Sequence, residues 1–152
     1  MLYSLLQWVH VLAAIIAFGT NITYFFWGLR AAKRPEALAY TMRGISVLDN
    51  TVANPAYAVA GVTGLILVYV GGRSYSTPWI ALSIALFALV FAIGGALATP
   101  AMRKQAVLAE AGKGDTDEYR AQAKRVNVIG TVLVALVAAI VYLMVVQPAL
   151  WG

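Results

Sequence analysis

Residues 79–98 read WIALSIALFALVFAIGGALA, a stretch of 20 residues without one charged side chain. A helix rises about 1.5 Å per residue, so roughly 20 apolar residues span the hydrocarbon core of a bilayer. No water is present there to satisfy backbone N–H and C=O groups, which favours a helix as the spanning structure. Pro78 precedes the run and suits the first turn of a helix. We therefore predict a transmembrane helix over about residues 78–99.

Three more apolar runs accompany this one, and we predict helices over about residues 5–28, 45–70 and 126–147. The whole chain is 62% hydrophobic and only 11% charged, whereas soluble domains are roughly half apolar and a quarter charged. The runs are continuous and not alternating, which disfavours a strand barrel. The predicted fold class is all-α: a transmembrane four-helix bundle that forms a single domain over residues 1–152.

Basic residues are distributed unevenly among the loops that join these runs. Arg73 alone lies in the loop over residues 71–78, while the other ten of the eleven Lys and Arg residues lie over about residues 29–44 and 99–125. The positive-inside rule places those two loops in the cytoplasm. Both termini then face outward, an N-out/C-out orientation. Residues 1–7 contain no lysine or arginine, so we expect the first helix to be retained and not cleaved as a signal peptide.

The loop between the third and fourth runs carries helix signals of its own. Run three is expected to continue as a helix to about residue 111, where residues 112–114, GKG, are a stop-and-turn signal. Asp115 and Glu118 have the spacing of a capping box for the helix that leads into run four. We predict a cytoplasmic helical extension between helices 3 and 4.

The net charge of +5 does not indicate nucleic-acid binding, because the basic residues lie between apolar runs and not on a solvated face. The expected partner is the lipid bilayer. The absence of cysteine excludes thiolate catalysis and the covalent attachment of c-type haem. The sequence also lacks a Walker motif, a Gly-x-Ser-x-Gly motif, paired catalytic carboxylates and a His-Glu-x-x-His motif. These absences favour a role other than catalysis.

His10 is the only histidine in the chain and lies about 8 Å in from the outer end of the first run. The same arithmetic brings Ser83 and Tyr142 to a similar depth, and Met144 is the only methionine near it. Imidazole can ligate the iron of haem b, bind another metal ion or relay protons. The alternative is an interfacial histidine hydrogen-bonded to Gln7, Ser83 or Tyr142. A haem site needs either a second ligand, for which Met144 is the candidate, or a five-coordinate iron.

A second polar layer lies nearer the cytoplasmic ends of the runs and contains Asn21, Asp49, Asn50, Asn54 and Asn127. Polar residues inside a membrane are costly, so each one is a hypothesis about function. One hypothesis is a polar pocket open to the cytoplasm. The alternative is hydrogen bonding between helices, worth only about 0.6 kcal/mol per pair in membranes. Pro55 follows Asn54 and is expected to break or kink the second helix, because proline lacks a backbone donor.

Residues 6–14, LQWVHVLAA, leading to Phe18-Gly19, resemble the opening of small bacterial four-helix membrane proteins. Pro55 followed by residues 63–67, TGLIL, resembles the second helix of the same family, whose members are predicted integral membrane proteins of unknown function. This resemblance implies a multi-pass protein of the bacterial inner (plasma) membrane.

More distantly, the pattern is similar to the HemJ-type protoporphyrinogen oxidases and to the CopD-type copper-resistance membrane domains. In the HemJ type a histidine on the first helix is a candidate haem ligand, which corresponds to His10 here. That type also uses an intramembrane lysine on a later helix, and this chain has no lysine in runs two to four. Protoporphyrinogen oxidase activity is therefore not expected.

The leading hypothesis is a non-enzymatic membrane protein that binds haem or another hydrophobic ligand in its outer half through His10. A second hypothesis is a cofactor-free structural or assembly subunit that contacts a membrane-protein partner, or a second copy of itself, through residues 103–125. A third is a small-solute carrier that uses the layer around Asn21 and Asn54.

Overall fold

The structure is a computed structural model that describes residues 1–150. Its described residues form helices and turns, with no strand among them. The α-helices are α1 (Leu2–Ala31), α2 (Pro35–Leu48), α3 (Asn54–Val70), α4 (Pro78–Ile93), α5 (Thr99–Glu110) and α6 (Asp117–Val146). Two short π-helical segments, Asp49–Ala53 and Gly94–Ala98, join α2 to α3 and α4 to α5.

These elements make four continuous helical runs within the described part of the chain. Each run is long and apolar enough to cross a membrane: Leu2–Ala31, Pro35–Val70, Pro78–Glu110 and Asp117–Val146. The predicted all-α four-helix fold is therefore confirmed. The runs extend beyond the apolar stretches read from the sequence, because helices continue past the hydrocarbon core into the polar interface, where hydropathy no longer marks them.

The expected break near Pro55 is wrong, because the second run is helical without interruption from Pro35 to Val70. A π-helical turn comes just before the proline, and within it the N–H of Asn54 donates to the carbonyl of Asp49, five residues back. A proline ring in a regular helix clashes with the carbonyl four residues earlier. The wider π turn moves that carbonyl away, so the helix continues through the proline.

The helical extension between the third and fourth apolar runs is confirmed, and α5 ends at Glu110. Gly112 then turns the chain with a φ of +70°, a left-handed conformation that glycine adopts without strain. The cap of α6 differs from the prediction. Thr116, and not Asp115, is the N-cap residue, and its hydroxyl accepts a 3.2 Å hydrogen bond from the N–H of Tyr119.

The bundle has two distinct ends. The terminal end carries the start of α1, the turn between α3 and α4, and the end of α6. The hairpin end carries the turns between α1 and α2 and between α5 and α6, and there α5 packs mainly against α2. Its core is small and apolar. The core residues are Ala31, Leu38, Met42, Ala106, Leu108, Ala109 and Tyr119.

The cysteine-free chain permits a direct test of which end faces the cytoplasm. Ser74 lies in the turn at the terminal end, Lys113 lies in the turn at the hairpin end, and both are exposed. We expect a membrane-impermeant maleimide to label Ser74→Cys on intact spheroplasts and to label Lys113→Cys only after the membrane is permeabilised, because the basic loops favour the cytoplasm. The opposite labelling pattern would show that the orientation is inverted.

Candidate functional site

Of the cavities between the helices, two contain His10 or Asp49, and they lie toward opposite ends of the bundle. The histidine cavity, toward the terminal end and named for His10, has a volume of about 670 Å³. It lies between two helix pairs, since α1 packs on α3 and α4 packs on α6, while α3 and α4 make little direct backbone contact. Its lining is mostly apolar. The residues that line it include His10, Ala60, Gly64, Arg73, Ser83 and Met144.

His10 is held by α3. Its Nδ1 lies 2.8 Å from the carbonyl oxygen of Ala60 and 3.2 Å from the hydroxyl of Thr63. A carbonyl oxygen only accepts hydrogen bonds, so Nδ1 carries the proton and donates it to Ala60. The Thr63 hydroxyl donates to the carbonyl of Val59 at 2.6 Å, which leaves its oxygen free to accept. In the neutral ring, Nε2 then keeps its lone pair.

Two glycines on α3 make room for the ring systems that face them. A Cβ added at Gly64 would lie 3.0 Å from Cε1 of His10, and one added at Gly61 would lie 2.6 Å from Cε1 of Phe87. Real Cβ atoms rarely or never approach other atoms so closely. The imidazole of His10 therefore packs edge-on against the backbone of α3, and its position depends on glycine at residue 64.

The other residues of the predicted histidine layer are placed differently. Ser83 and Met144 line the same cavity as His10. The Ser83 hydroxyl donates to the carbonyl of Trp79 on its own helix at 2.6 Å. Tyr142 is 57% exposed and is not among the residues that line the cavity. Within the described residues, the hydrogen-bond partners of His10 are thus on α3, and not Ser83 or Tyr142.

The carboxylate cavity lies toward the hairpin end, has a volume of about 530 Å³ and is named for Asp49. The Asp49 side chain is buried, and its Oδ2 accepts hydrogen bonds from the Thr99 hydroxyl at 2.8 Å and from the Asn54 amide at 3.3 Å. Asn54 and Thr99 occupy equivalent places, since each follows a π-helical segment and each precedes a proline. The residue that follows each π-helical segment thus donates a hydrogen bond to the same carboxylate, that of Asp49.

The predicted asparagine layer is only partly assembled around this cavity. Asn21 lines it and donates a 2.7 Å hydrogen bond to the Tyr57 hydroxyl. Asn50 is not among its lining residues. Its amide oxygen instead accepts a 2.8 Å hydrogen bond from Arg103, and its amide nitrogen donates to the carbonyl of Ser46. The residues of the predicted layer that share this cavity are Asn21, Asp49, Asn54 and Asn127, whereas Asn50 belongs to a neighbouring contact.

Sequence reasoning missed three polar residues that line this cavity, Tyr24, Tyr57 and Gln105, and also Thr99, which donates to Asp49. The Tyr24 hydroxyl is buried and has no hydrogen-bond partner among the described residues. Thr99 carried a usable signal, because Thr99-Pro100 repeats the pairing of a polar residue with a following proline that is seen at Asn54-Pro55. The tyrosines gave none, because tyrosine is common at membrane interfaces.

Comparison with known proteins identifies the family. Residues 4–148 match the family described as "Predicted integral membrane protein (DUF2269)", and the chain belongs to that family. The resemblance to a family of predicted integral membrane proteins of unknown function is thereby confirmed. No curated protein and no solved structure matches the chain. The distant similarity to HemJ-type and CopD-type proteins gains no support from these comparisons.

The ring geometry of His10 can be tested directly, because a protein with one histidine gives one set of imidazole ¹⁵N signals. We expect ¹⁵N-histidine-labelled protein to show a protonated Nδ1 and an unprotonated Nε2 at neutral pH. Gly64→Ala should shift these signals, because the new methyl group meets the ring at 3.0 Å.

Gly19→Ala is the matched control, since a Cβ there meets nothing within 4 Å. It should leave the imidazole signals in place and raise helix stability by up to about 1 kcal/mol. Signals from the Nε2-protonated tautomer in the unaltered protein would contradict the arrangement described for His10.

Proposed function

We propose that this member of the family is a non-enzymatic membrane protein that binds haem b in the histidine cavity, where Nε2 of His10 would hold the iron. The observation that carries the proposal is the hydrogen bond from Nδ1 of His10 to the carbonyl of Ala60, at 2.8 Å. Histidines that ligate metals almost always donate their other ring N–H to a carbonyl, a carboxylate or water, which fixes the tautomer and the orientation of the ring.

The cavity suits a flat apolar ligand. Ligand sites commonly have volumes of about 300–1,000 Å³ and apolar walls with a few placed polar groups, and this cavity has a volume of about 670 Å³. The α3 side of the cavity is lined by small residues, Ala60, Gly61 and Gly64. The space over the two glycines holds the rings of Phe87 and His10, so a macrocycle would lie beside these rings and not on the glycines.

The mouth of the cavity carries one cation, Arg73. Its guanidinium carbon lies 5.6 Å from the centroid of the Trp79 ring, and both side chains line the cavity. Guanidinium groups bind carboxylates with two parallel hydrogen bonds. Arg73 is therefore the residue that we assign to the haem propionates.

The chain's donor set favours haem over a metal ion bound by protein ligands alone. The described residues contain no group of three or more His, Cys, Asp or Glu side chains that could hold a metal ion. In haem the porphyrin supplies four ligands, so the protein must supply only one or two. His10 would be the first, and Met144, which also lines the cavity, is the candidate for the second. When bound, the haem would supply an iron centre capable of one-electron chemistry.

The test is an absorption spectrum of protein purified in detergent, before and after titration with haemin. We expect a Soret band in the unaltered protein and its loss in His10→Ala. Arg73→Ala should keep the band but bind haemin about tenfold more weakly, a change of about 1.4 kcal/mol. Gln7→Ala is the control, because Gln7 lines the same cavity without a proposed role.

A His10→Gly variant separates ligation from folding. Added imidazole should restore the Soret band of this variant if the residue acts as an iron ligand. A colourless preparation that takes up no added haemin would overturn the proposal and would favour the cofactor-free assembly subunit that the sequence also allows.

A further inference from the structure

We propose that the carboxylate cavity is a separate binding site for an organic cation, and that Asp49 supplies its counter-charge. This site does not depend on haem binding, because His10 does not line it. The proposal rests on the charge of the cavity, on the hydrogen bonding of Asp49, on the backbone around it, and on the size and lining of the space.

Asp49 makes no direct ion pair with any described residue. Its side chain is only 6% exposed, and the ion pairs of the described residues are Arg43–Glu110, Lys104–Glu118 and Arg120–Asp117. Arg103, on the neighbouring helix α5, donates its hydrogen bond to Asn50, the next residue, and its charge acts on Asp49 without direct contact. A carboxylate inside a membrane bundle normally pairs with a positive group and marks a substrate or ion pathway. The cation that would normally pair with Asp49 could therefore be supplied by a positively charged ligand.

One carboxylate oxygen of Asp49 has no hydrogen-bond partner among the described residues. Its two hydrogen bonds from Thr99 and Asn54 both end on Oδ2, and Oδ1 has no hydrogen bond to any described residue. The two donors fix the orientation of the carboxylate, since they come from different helical runs. A carboxylate held in this way presents Oδ1 to an incoming ligand without first breaking a bond within the protein.

The backbone beside Asp49 adds a further acceptor. The N–H of Thr99 donates to the carbonyl of Gly94, five residues back, and the next residue, Pro100, has no N–H. The carbonyl of Gly95 therefore lacks a donor at both of its usual helical positions. Gly95 lines the cavity. π-helical turns occur frequently at functional sites, and this one leaves a carbonyl without a helical donor at a residue that lines the cavity.

The size and lining of the cavity indicate which cation fits. A volume of about 530 Å³ is far more than a proton or an alkali metal ion needs. Divalent metal ions prefer several oxygen ligands with more than one carboxylate, and Asp49 is the only acidic residue that lines this cavity. The rest of the lining is largely apolar and includes the aromatic rings of Tyr24, Tyr57 and Phe91. Aromatic faces attract ammonium groups, so the occupant expected is an ammonium compound with apolar substituents.

The experiment measures binding of benzyltrimethylammonium to the purified full chain in nanodiscs by isothermal titration calorimetry. We expect the unaltered protein to bind this cation and Asp49→Asn, which keeps the shape of the side chain, to bind it at least about tenfold more weakly. Glu110→Gln removes a carboxylate that is paired with Arg43 outside the cavity, and it should bind as the unaltered protein does. Benzyl alcohol, an uncharged probe with the same ring, should not bind measurably.

A second variant keeps the test decisive if Asp49→Asn does not fold. Gly94 lines the cavity, and a Cβ added there meets nothing within 4 Å, so Gly94→Leu should fold and fill part of the space. It should weaken binding while leaving the carboxylate in place. No binding by the unaltered protein, equal binding by a folded Asp49→Asn, equal binding by Gly94→Leu, or equal binding of benzyl alcohol would each overturn the proposal. Haem binding could survive any of these outcomes, because it uses the other cavity.

Discussion

The structure depends on one constraint: inside a bilayer no water satisfies a polar group, so every such group must find its partner within the protein. Most polar side chains in the helical runs meet this constraint locally, by donating to a carbonyl of their own helix. Thr20, Thr51, Ser83 and Thr131 all do so. The polar groups that instead bond across helices lie around His10, around Asp49 and at the hairpin end. At the hairpin end Gln105 donates to the Tyr119 hydroxyl and Gln122 donates to the carbonyl of Ala101. The first two places coincide with the histidine cavity and the carboxylate cavity.

The sequence predicts the number and type of the helices because hydropathy is a property of local composition. It predicts their ends and irregularities less well. Pro55 indicated a disturbance in the second run, but the sequence could not show whether the helix would break or widen into a π turn. The choice depends on packing and on hydrogen bonds from Asn54 and Thr99, which lie 45 residues apart in the chain. The widened turn keeps the helix intact and brings these two side chains to Asp49.

Depth along a helix can be read from the sequence, whereas rotation about the helix axis cannot. Counting residues correctly brought Ser83 and Met144 to the cavity of His10, but the same arithmetic included Tyr142, which points away from it and is exposed. The hydrogen-bond partner Thr63 was not identified, because one threonine in an apolar run shows no preferred neighbour. Its role becomes visible only when α1 and α3 are packed together, with Gly64 against the imidazole.

The two cavities are adjacent, and Ala58 and Phe91 line both. The polar group at the centre of each cavity is nevertheless held by a different kind of contact. His10 is fixed by a carbonyl and a glycine of a regular helix, an arrangement that tolerates little change in the distance between α1 and α3. Asp49 is fixed by side chains that follow two π turns, a type of turn that occurs frequently at functional sites. These side chains come from two different helical runs. The geometry around His10 therefore depends on the packing of α1 on α3, whereas the geometry around Asp49 depends on the packing of the second run on the third.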